Sequence, residues 1–304
     1  MPELKARTEF RYLDPAALQR VREIRAADPE AIDRALQART RRELLGPDGR
    51  LFIVAADHPA RGSLGVGGDP AAMADRSDLL DRLALALSRP GVDGVLATAD
   101  IVDDLALLGA LEGKIVVGSM NRGGLAGSRF ELDDRFTGYD IAGIKRARLD
   151  FAKTLLRVNL SDPGTLSTLV ANTRAVNEAA DAQLPIMLEP FLNVWDGERV
   201  RNVLTAEATI KALSIAAGLG RSSAYTWMKL PVVDEMEKVM AATTLPTLLL
   251  GGERSEDPDA TFATWERALA LPGVRGLTVG RSLLYPADDD VERAVDTAAR
   301  LVHG

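Results

Sequence analysis

The chain has 304 residues and a formal net charge of -7, with 46% hydrophobic and 27% charged residues. This composition is typical of a soluble globular protein with a large core, and it excludes a disordered chain, a fibre and a small disulfide scaffold. The acidic balance does not favour nucleic acid or an anionic membrane as a partner, and the absence of cysteine excludes thiolate catalysis and cysteine-bound metals.

Two helices are predicted at the start of the chain, within residues 14–44. An Asp-Pro dipeptide begins at each of residues 14 and 28, which places a capping residue before a proline at the first helical position. A cluster of turn residues follows at 46–49. We therefore divide the chain into an N-terminal helical extension, residues 1–46, and a main domain, residues 47–304.

The surroundings of the protein are also predicted from the sequence. The first residues mix charges and contain no apolar stretch, so they do not predict a secretory signal. No apolar run approaches the roughly 20 residues that span a bilayer. We expect a cytoplasmic protein, and because such extensions often cover a barrel end or a neighbouring subunit, we also expect a homo-oligomer.

Short apolar runs alternate with helical stretches through the main domain, as in a parallel sheet buried on both faces. The eight predicted strands are residues 51–56, 94–98, 114–118, 151–158, 184–189, 225–230, 247–250 and 276–279. The eight predicted helices lie near residues 77–88, 102–112, 139–148, 165–182, 205–217, 233–243, 259–270 and 288–302. Eight strands alternating with eight helices predict the α/β class and a (β/α)8 TIM barrel.

A doubly wound open sheet is the alternative architecture. It usually has fewer strands, and it favours a glycine-rich turn after the first of them. The turn at residues 57–62 reads Asp-His-Pro-Ala-Arg-Gly, which does not fit that pattern. The barrel is therefore the favoured prediction.

Four ionisable residues fall on or directly after predicted strands, and the carboxyl ends of barrel strands form the active sites of this fold. They are Asp57, Lys153, Glu189 and Lys229. A lysine becomes nucleophilic at neutral pH when burial and a second cation lower its pKa. Lys229 has apolar neighbours, and Lys153 would supply the second charge, so this set favours Schiff-base catalysis with the carboxylates moving protons.

Each of these residues also has a purely structural interpretation. Lys229 within a strand is equally compatible with half of a buried ion pair, and Glu189 with the partner of either lysine. Asp57 is compatible with a cap of the following turn, and His58 with a hydrogen-bonded residue at a strand end. The catalytic interpretation rests on the placement of the whole set at strand ends.

A phosphate site is predicted after the last two strands. Gly251, Gly252 and Gly280 would let backbone N–H groups approach phosphate oxygens, and Arg281 would neutralise the charge. The alternative is that these glycines only end strands in tight turns. His58 and Arg157 are two further candidates for substrate contact.

At these residues the sequence resembles the class I aldolases of the deoxyribose-phosphate aldolase and tagatose-bisphosphate aldolase superfamily, which are Schiff-base barrels. Asp57 resembles the aspartate of the superfamily's first strand, and Ala-Lys153-Thr-Leu-Leu is similar to its fourth-strand lysine segment. Leu-Glu189-Pro resembles the fifth-strand glutamate motif, and Met-Lys229-Leu-Pro resembles the sixth-strand segment with the Schiff-base lysine. Val-Gly-Arg281-Ser resembles the terminal phosphate motif.

The likeness extends over residues 50–290 by the order of these motifs. More narrowly, the sequence resembles an actinobacterial-type branch of aldolase-like barrels that is associated with sugar or inositol catabolism. It departs from deoxyribose-phosphate aldolase in having no lysine on the seventh strand. It also has a long, glycine-rich loop after the third strand, residues 121–138, from which Arg122 or Arg129 would reach a second acidic group of the sugar.

The resulting hypothesis is a class I aldolase, independent of metals and cofactors, that acts on a phosphorylated ketose or keto sugar acid. Only two histidines are present, too few and too far apart to suggest a histidine-bound metal. The first alternative is a barrel lyase or isomerase that uses Lys229 as a proton-transfer base. The second is a non-catalytic barrel that binds a sugar phosphate.

Overall fold

The computed structural model describes residues 12–252 and 257–304, so residues 1–11 of the predicted extension lie outside the described residues. Eight parallel strands form a closed barrel, as predicted. They are β1 (Leu51–Ala55), β2 (Gly94–Ala97), β3 (Ile115–Ser119), β4 (Phe151–Val158), β5 (Ile186–Asp196), β7 (Thr226–Pro231), β8 (Thr247–Leu250) and β9 (Val274–Val279). The ring runs in chain order and closes through β9 and β1, with β6 (Arg199–Asn202) added to β5 as a short antiparallel strand.

Helices separate the strands and form the outer layer of the barrel. They are α1 (Pro15–Ala27), α2 (Glu30–Ala38), α3 (Arg76–Ser88), α4 (Ala99–Leu107), α5 (Ile141–Arg146), α6 (Gly164–Asp181), α7 (Ala206–Ala217), α8 (Met236–Ala241), α9 (Pro258–Leu269), α10 (Arg281–Leu284) and α11 (Val291–His303). Side chains cap several N-termini, as Asp75 does for α3 and Asp257 for α9. Within the described part of the chain, no helix is both long and apolar enough to cross a membrane.

Apolar side chains fill the barrel interior. The buried inner cluster includes Leu51, Ile53, Phe151 and Leu248, and the rings of Phe151 and Trp227 meet edge to face with their centroids 5.4 Å apart. A second and larger cluster fills the space between the strands and the surrounding helices. This packing leaves polar side chains at the two ends of the barrel.

The segment that follows α2 lies against the amino ends of β3 and β4, opposite the predicted site. Arg39 donates to Asp150, which lies just before β4, at 2.8 Å, and to the carbonyl of Lys114, just before β3, at 3.0 Å. The prediction of helix up to residue 44 is wrong, because the second helix ends at Ala38. The backbone is extended at Arg39, where the side chain is nearly fully buried among these acceptors.

Two other elements differ by more than three residues at one end from their predicted bounds. The fifth barrel strand continues to Asp196, well beyond the predicted end at Glu189, and folds back as a hairpin into β6. The helix predicted at 102–112 instead occupies Ala99–Leu107, and residues 108–113 after it form turns. Only the first difference adds residues to the candidate site.

Candidate active site

The four ionisable residues predicted from strand positions come together at the carboxyl end of the barrel. Lys153 pairs in register with Ser119 of β3, and Glu189 pairs with Leu155 of β4. Lys229 lies on β7, beside β5, and Asp57 follows β1. Parallel strands with this register direct their carboxyl ends to one edge of the sheet, which explains why residues far apart in sequence meet here.

The four charges form one continuous chain of contacts. The Nζ atom of Lys229 donates to Oε1 of Glu189 at 2.8 Å, and Oε2 of the same carboxylate lies 2.6 Å from Nζ of Lys153. Lys153 also donates to Oδ2 of Asp57 at 2.8 Å, and the Ser119 hydroxyl donates to that oxygen at 3.2 Å. Carboxylates and ammonium groups therefore alternate along the chain, with Lys153 enclosed between two acids and Lys229 bonded to one.

The surroundings of Lys229 favour its uncharged form more strongly than water favours the uncharged form of an exposed lysine. Burial lowers the pKa of Lys229 and Lys153 lowers it further, although Glu189 opposes them. Burial would raise the pKa of Glu189, but the attraction of Lys153 and then of Lys229 outweighs it and brings the pKa to about 2. Burial is likewise outweighed at Asp57, where Lys153 and neighbouring cations hold the pKa well below its usual value.

A cavity of about 870 Å³ opens above this chain of charges. Glu189 and Lys229 line it, whereas Asp57 and Lys153 lie beneath its surface and are almost fully buried. Pockets of this size hold small metabolites. Of the two lysines, Lys229 is therefore the one that a bound molecule contacts.

The residues predicted to bind phosphate line one side of the cavity, at the ends of β8 and β9. A Cβ atom at Gly280 would lie 2.1 Å from the carbonyl oxygen of Ala55, and one at Gly251 would lie 2.4 Å from Cγ1 of Val279. Gly252 has a φ of +67°, in the left-handed region that favours glycine. Packing thus requires glycine at 251 and 280, the backbone conformation favours it at 252, and Arg281 beside them supplies the positive charge.

His58 lines the same cavity between two guanidinium groups. Burial lowers its pKa well below the ordinary value, and the charges of Arg61 and Arg281 contribute to this lowering, so the ring is neutral at pH 7. Its Nδ1 atom is buried and has no hydrogen-bond partner among the described residues. It lies 3.8 Å from Oδ1 of Asp57. A neutral imidazole at the cavity surface is able to exchange hydrogen bonds with a bound molecule.

Arg157 lines the cavity, but most of its donors are already engaged. Its Nε and Nη2 atoms donate to the two carboxylate oxygens of Asp134, each at 2.9 Å, and Nη1 donates to Glu131 at 2.9 Å. Both acids belong to the loop at residues 121–138, after β3. The bidentate contact favours a role for Arg157 in holding this loop rather than in binding substrate.

The loop at residues 121–138 is folded tightly onto the barrel. Gly123 and Arg135 are joined by a backbone hydrogen bond of 2.7 Å, and Gly138 donates to the carbonyl of Met120 at 2.9 Å. A Cβ atom at Gly124 would lie 2.3 Å from the carbonyl oxygen of Glu131. The glycine-rich sequence is therefore required by the close approach of the two halves of the loop. Arg129, one of the two arginines predicted to reach substrate, is exposed on this loop, and Arg122 lines the cavity.

The sequence prediction missed two parts of the cavity wall. Arg61, in the turn after β1, lines the cavity and lies 3.8 Å from Oδ2 of Asp57. The hairpin of β5 and β6 contributes Val200, Arg201 and Asn202. The Asp-Gly dipeptide at 196–197, with its glycine at a φ of +62°, is the turn signal from which the hairpin is recognisable. Among the described residues, no group of three or more histidine and carboxylate side chains is placed to hold a metal ion.

The fold is a (β/α)8 TIM barrel that is similar to the folds of two solved aldolases. An archaeal fructose 1,6-bisphosphate aldolase is 17% identical with a TM-score of 0.64, covering 89% of this chain and 98% of that one. The fructose-bisphosphate aldolase from Slackia heliotrinireducens is 15% identical with a TM-score of 0.58, covering 96% and 87%. These likenesses establish the architecture.

The chain belongs to the Cgl0159-like family, whose model matches residues 49–299. The crystal structure of Cgl0159 from Corynebacterium glutamicum is 64% identical, with a TM-score of 0.94, and the match covers 96% of this chain and 98% of that one. None of the curated proteins compared with this chain matches it.

Proposed function

We propose that this protein is a class I aldolase that cleaves or forms a carbon–carbon bond in a phosphorylated ketose or keto sugar acid, through an imine on Lys229. The observation that carries the proposal is the environment of the Nζ atom of Lys229. It is buried, lies at the floor of a large cavity, has a lowered pKa, and is hydrogen-bonded to a carboxylate that a second lysine shares. This is the environment that makes an amine nucleophilic at neutral pH.

Lys229 is a better candidate for the nucleophile than Lys153. Lys153 lies beneath the cavity and contacts two carboxylates, Asp57 at 2.8 Å and Glu189 at 2.6 Å. Its Nζ atom is therefore fully engaged and shielded from a bound molecule. In the proposal Lys153 remains a cation that lowers the pKa of Lys229 and orients Glu189.

Glu189 is the proposed proton carrier for imine formation. Its pKa is about 2 while both neighbouring lysines are charged. Glu189 first accepts a proton from the ammonium group of Lys229, to which it is hydrogen-bonded. Once the resulting neutral amine has added to the ketone, the carbinolamine nitrogen carries no charge, so one of the two attractions that keep Glu189 ionised is lost. Its pKa then rises toward the range in which it is able to give a proton to the departing hydroxyl group, which leaves as water.

Bond cleavage then uses the iminium group as the electron sink. A base removes the proton of the hydroxyl group on the carbon that becomes the aldehyde, and the electrons of the carbon–carbon bond move to the iminium to give an enamine. Asp57 lies beneath the cavity lining, so we assign it to the positioning of Lys153. His58 faces the cavity, and an anion that offset the charges of Arg61 and Arg281 would raise its pKa, which makes it the proposed base.

The phosphate group of the substrate is assigned to the wall formed by Gly251, Gly252, Gly280 and Arg281. The support is the absence of side chains at the three glycines, which lie at two neighbouring strand ends, together with the guanidinium charge of Arg281. The likeness in fold to fructose-bisphosphate aldolases agrees with a phosphorylated substrate. The sugar itself is left open.

The test is borohydride trapping with a panel of phosphorylated ketoses and with dihydroxyacetone phosphate, read by intact and peptide mass. We expect a reduced adduct on the peptide that contains Lys229 and none in Lys229→Met, which loses at least about 10³-fold in cleavage. Lys238→Met is the matched control, because Lys238 is exposed and pairs with Glu235 on the surface. It should trap like the wild-type protein.

The two alternative functions predict different results in the same experiment. A lyase or isomerase that uses Lys229 as a base turns over a phosphorylated sugar without forming an adduct, and Lys229→Met is inactive. A non-catalytic sugar-phosphate-binding barrel binds such a compound with neither turnover nor adduct. Wild-type turnover by Lys229→Met contradicts both roles of that lysine.

A further inference from the structure

Two arginines from different elements occupy one wall of the cavity. Arg61 ends the short 3-10 turn after β1, and Arg122 follows β3. Hydrogen bonds join the two elements, because the amide of Ala126 donates to the carbonyl of Arg61 at 3.1 Å and the side chain of Asn121 donates to the carbonyl of Ala60 at 3.3 Å. The two guanidinium groups are thus held on one wall by the fold itself.

The hydrogen-bonding capacity of this wall is incompletely used. Arg122 is 4% exposed, and its Nε atom has no hydrogen-bond partner in the described part of the chain. The Nε atom of Arg61 is also buried without a partner among residues 12–252 and 257–304. Buried donors that remain unpaired are costly, and donors beside a cavity point to a ligand that completes them.

The charges of the wall are also unbalanced. Arg61, Arg122 and Arg157 lie together, whereas the loop supplies only Glu131 and Asp134. Both of these acids contact Arg157 at 2.9 Å, and Arg122 shares Asp134 with Arg157 at 3.1 Å. Burial lowers the pKa of Arg122 to about 9, and repulsion by Arg157 and Arg61 contributes to that lowering. One guanidinium charge on this wall therefore lacks an anion of its own.

Arg122 lies far from the proposed phosphate site within the barrel ring, whereas Arg61 follows β1, which pairs with β9 next to that site. The ring order β8, β9, β1, β2, β3 places β3, which leads to Arg122, four strands from β8, which leads to Gly251. In a ring of eight strands these two positions face each other. Lys229 on β7 and Glu189 on β5 line the same cavity, so a ketone that reaches Lys229 has anion-binding groups on both sides.

We propose that Arg61 and Arg122 form a second anion subsite, so that the substrate of the proposed aldolase carries acidic groups at both ends of its carbon chain. The second group is a phosphate or a carboxylate, since both present oxygen acceptors to a guanidinium fork. This inference rests on the proposed function. It narrows the substrate class to sugar bisphosphates and phosphorylated sugar acids.

Binding of simple linear probes tests the subsite without dependence on sugar stereochemistry. Alkyl monophosphates with four to seven carbons are compared by calorimetry with the bisphosphates and the ω-phosphorylated carboxylic acids of the same lengths, on full-length Lys229→Met protein. At the best length, we expect a doubly anionic probe to bind about tenfold or more tightly than its monophosphate. A larger gain for the bisphosphate identifies phosphate as the second group, and a larger gain for the acid identifies carboxylate.

Variants connect the gain to the two arginines. Adding Arg61→Gln or Arg122→Gln should abolish the preference for doubly anionic probes while binding of the monophosphate is retained. Arg135→Gln is the matched control, because Arg135 is exposed on the same loop and pairs with Asp133 at 2.7 Å. Arg61→Gln decides the matter if Arg122→Gln does not fold, because the only carboxylate that the structure places within 4 Å of Arg61 among the described residues is Asp57, at 3.8 Å.

Two results overturn the subsite: no preference for two anions at any length, or a preference that persists in Arg61→Gln. Failure of the proposed function is distinguishable, because it is read separately from the absence of a trapped imine in wild-type protein. An imine without a preference for doubly anionic probes contradicts only the second subsite. A preference for two anions without an imine supports the subsite as a binding site and contradicts the aldolase.

Discussion

Both ends of this barrel bury charged networks, but the two networks are built differently. At the amino end, one oxygen of Asp150 accepts from Arg39 at 2.8 Å and from the amide of Val116 at 2.9 Å, and the other accepts from Arg41 at 2.7 Å. At the carboxyl end, Asp57 accepts only through Oδ2, and its Oδ1 atom is buried without a hydrogen-bond partner among the described residues.

The two networks also differ in their cations, which are arginines at the amino end and lysines at the carboxyl end. Arginine keeps its proton under all ordinary conditions and fixes the amino-end network permanently, whereas lysine changes its charge readily when it is buried. The carboxyl end opens into a cavity of about 870 Å³, whose lining includes neither Arg39 nor Asp150. In the proposed function, the reactive network is therefore the one in which a lysine, an incompletely bonded carboxylate and open space coincide.

After the loss of Lys229 itself, the largest expected effect comes from the carboxylate that links the two lysines. Glu189→Gln removes a proton carrier and leaves both ammonium groups with a neutral neighbour, so turnover should fall by about 10² to 10⁴-fold. Rapid-mixing assays of imine formation and cleavage measure the loss. Glu178→Gln, in α6, is a control away from the cavity lining. Wild-type turnover by Glu189→Gln contradicts the role of the carboxylate in catalysis.

The amino-end network should affect stability instead. Arg39→Met leaves Asp150 and two carbonyl groups without their buried donor, so the free energy of unfolding should fall by about 3–5 kcal/mol while turnover per folded molecule is unchanged. Urea denaturation measures this. Arg34→Met in α2 is the control, because its pair with Asp28 is exposed and should be worth less than about 1 kcal/mol. Equal losses of unfolding free energy in Arg39→Met and Arg34→Met would contradict a special contribution of the amino-end network to stability.

Loss of the proposed phosphate contact should have a smaller effect, confined to binding. Arg281→Ala removes a charge-assisted contact, so the affinity for a phosphorylated substrate should fall by about 10- to 100-fold. Calorimetry with a phosphorylated ketose and its unphosphorylated analogue measures the difference. Equal losses for the two compounds argue against a phosphate role for Arg281.

The smallest expected effect is a change in pH dependence. In Asp57→Asn/Lys153→Met, the repulsion that lowers the pKa of Lys229 is removed, and this outweighs the loss of the weaker attraction to Asp57. The pKa of Lys229 therefore rises, its protonated form persists to higher pH, and imine formation at neutral pH should slow by about tenfold. A pH series of trapping rates measures this. A midpoint that stays in place or moves down contradicts the role of Lys153.

The strand-end residues of the site were predictable from the sequence, whereas the way in which the loop at 121–138 folds onto them was not. Lys153, Glu189 and Lys229 stand out because ionisable side chains are unusual in buried apolar strands, and the barrel fold brings the carboxyl ends of those strands together. The partners of Arg157 depend on how the loop at 121–138 folds back. That fold is set by contacts between residues distant in sequence, so local patterns do not contain it.

For the helix bounds too, local signals were readable from the sequence and long-range contacts were not. Sequence patterns located the helices between strands to within a few residues for most elements, because caps and apolar spacing are local signals. The end of the second helix was missed because Arg39 leaves the helix to reach Asp150, a partner 111 positions away. Long-range ion pairs of this kind override local propensity.

The hairpin of β5 and β6 places the proposed proton carrier and part of the cavity wall on different segments of the chain. Glu189 lies in the barrel portion of β5, under constraint from both lysines, whereas Val200, Arg201 and Asn202 reach the cavity from an arm whose outer side faces solvent. Mutations in the arm alter the cavity entrance without moving the lysine–carboxylate chain. Under the proposed function, descendants of such a barrel would exchange one sugar for another while the bond-breaking step passes unchanged from ancestor to descendant.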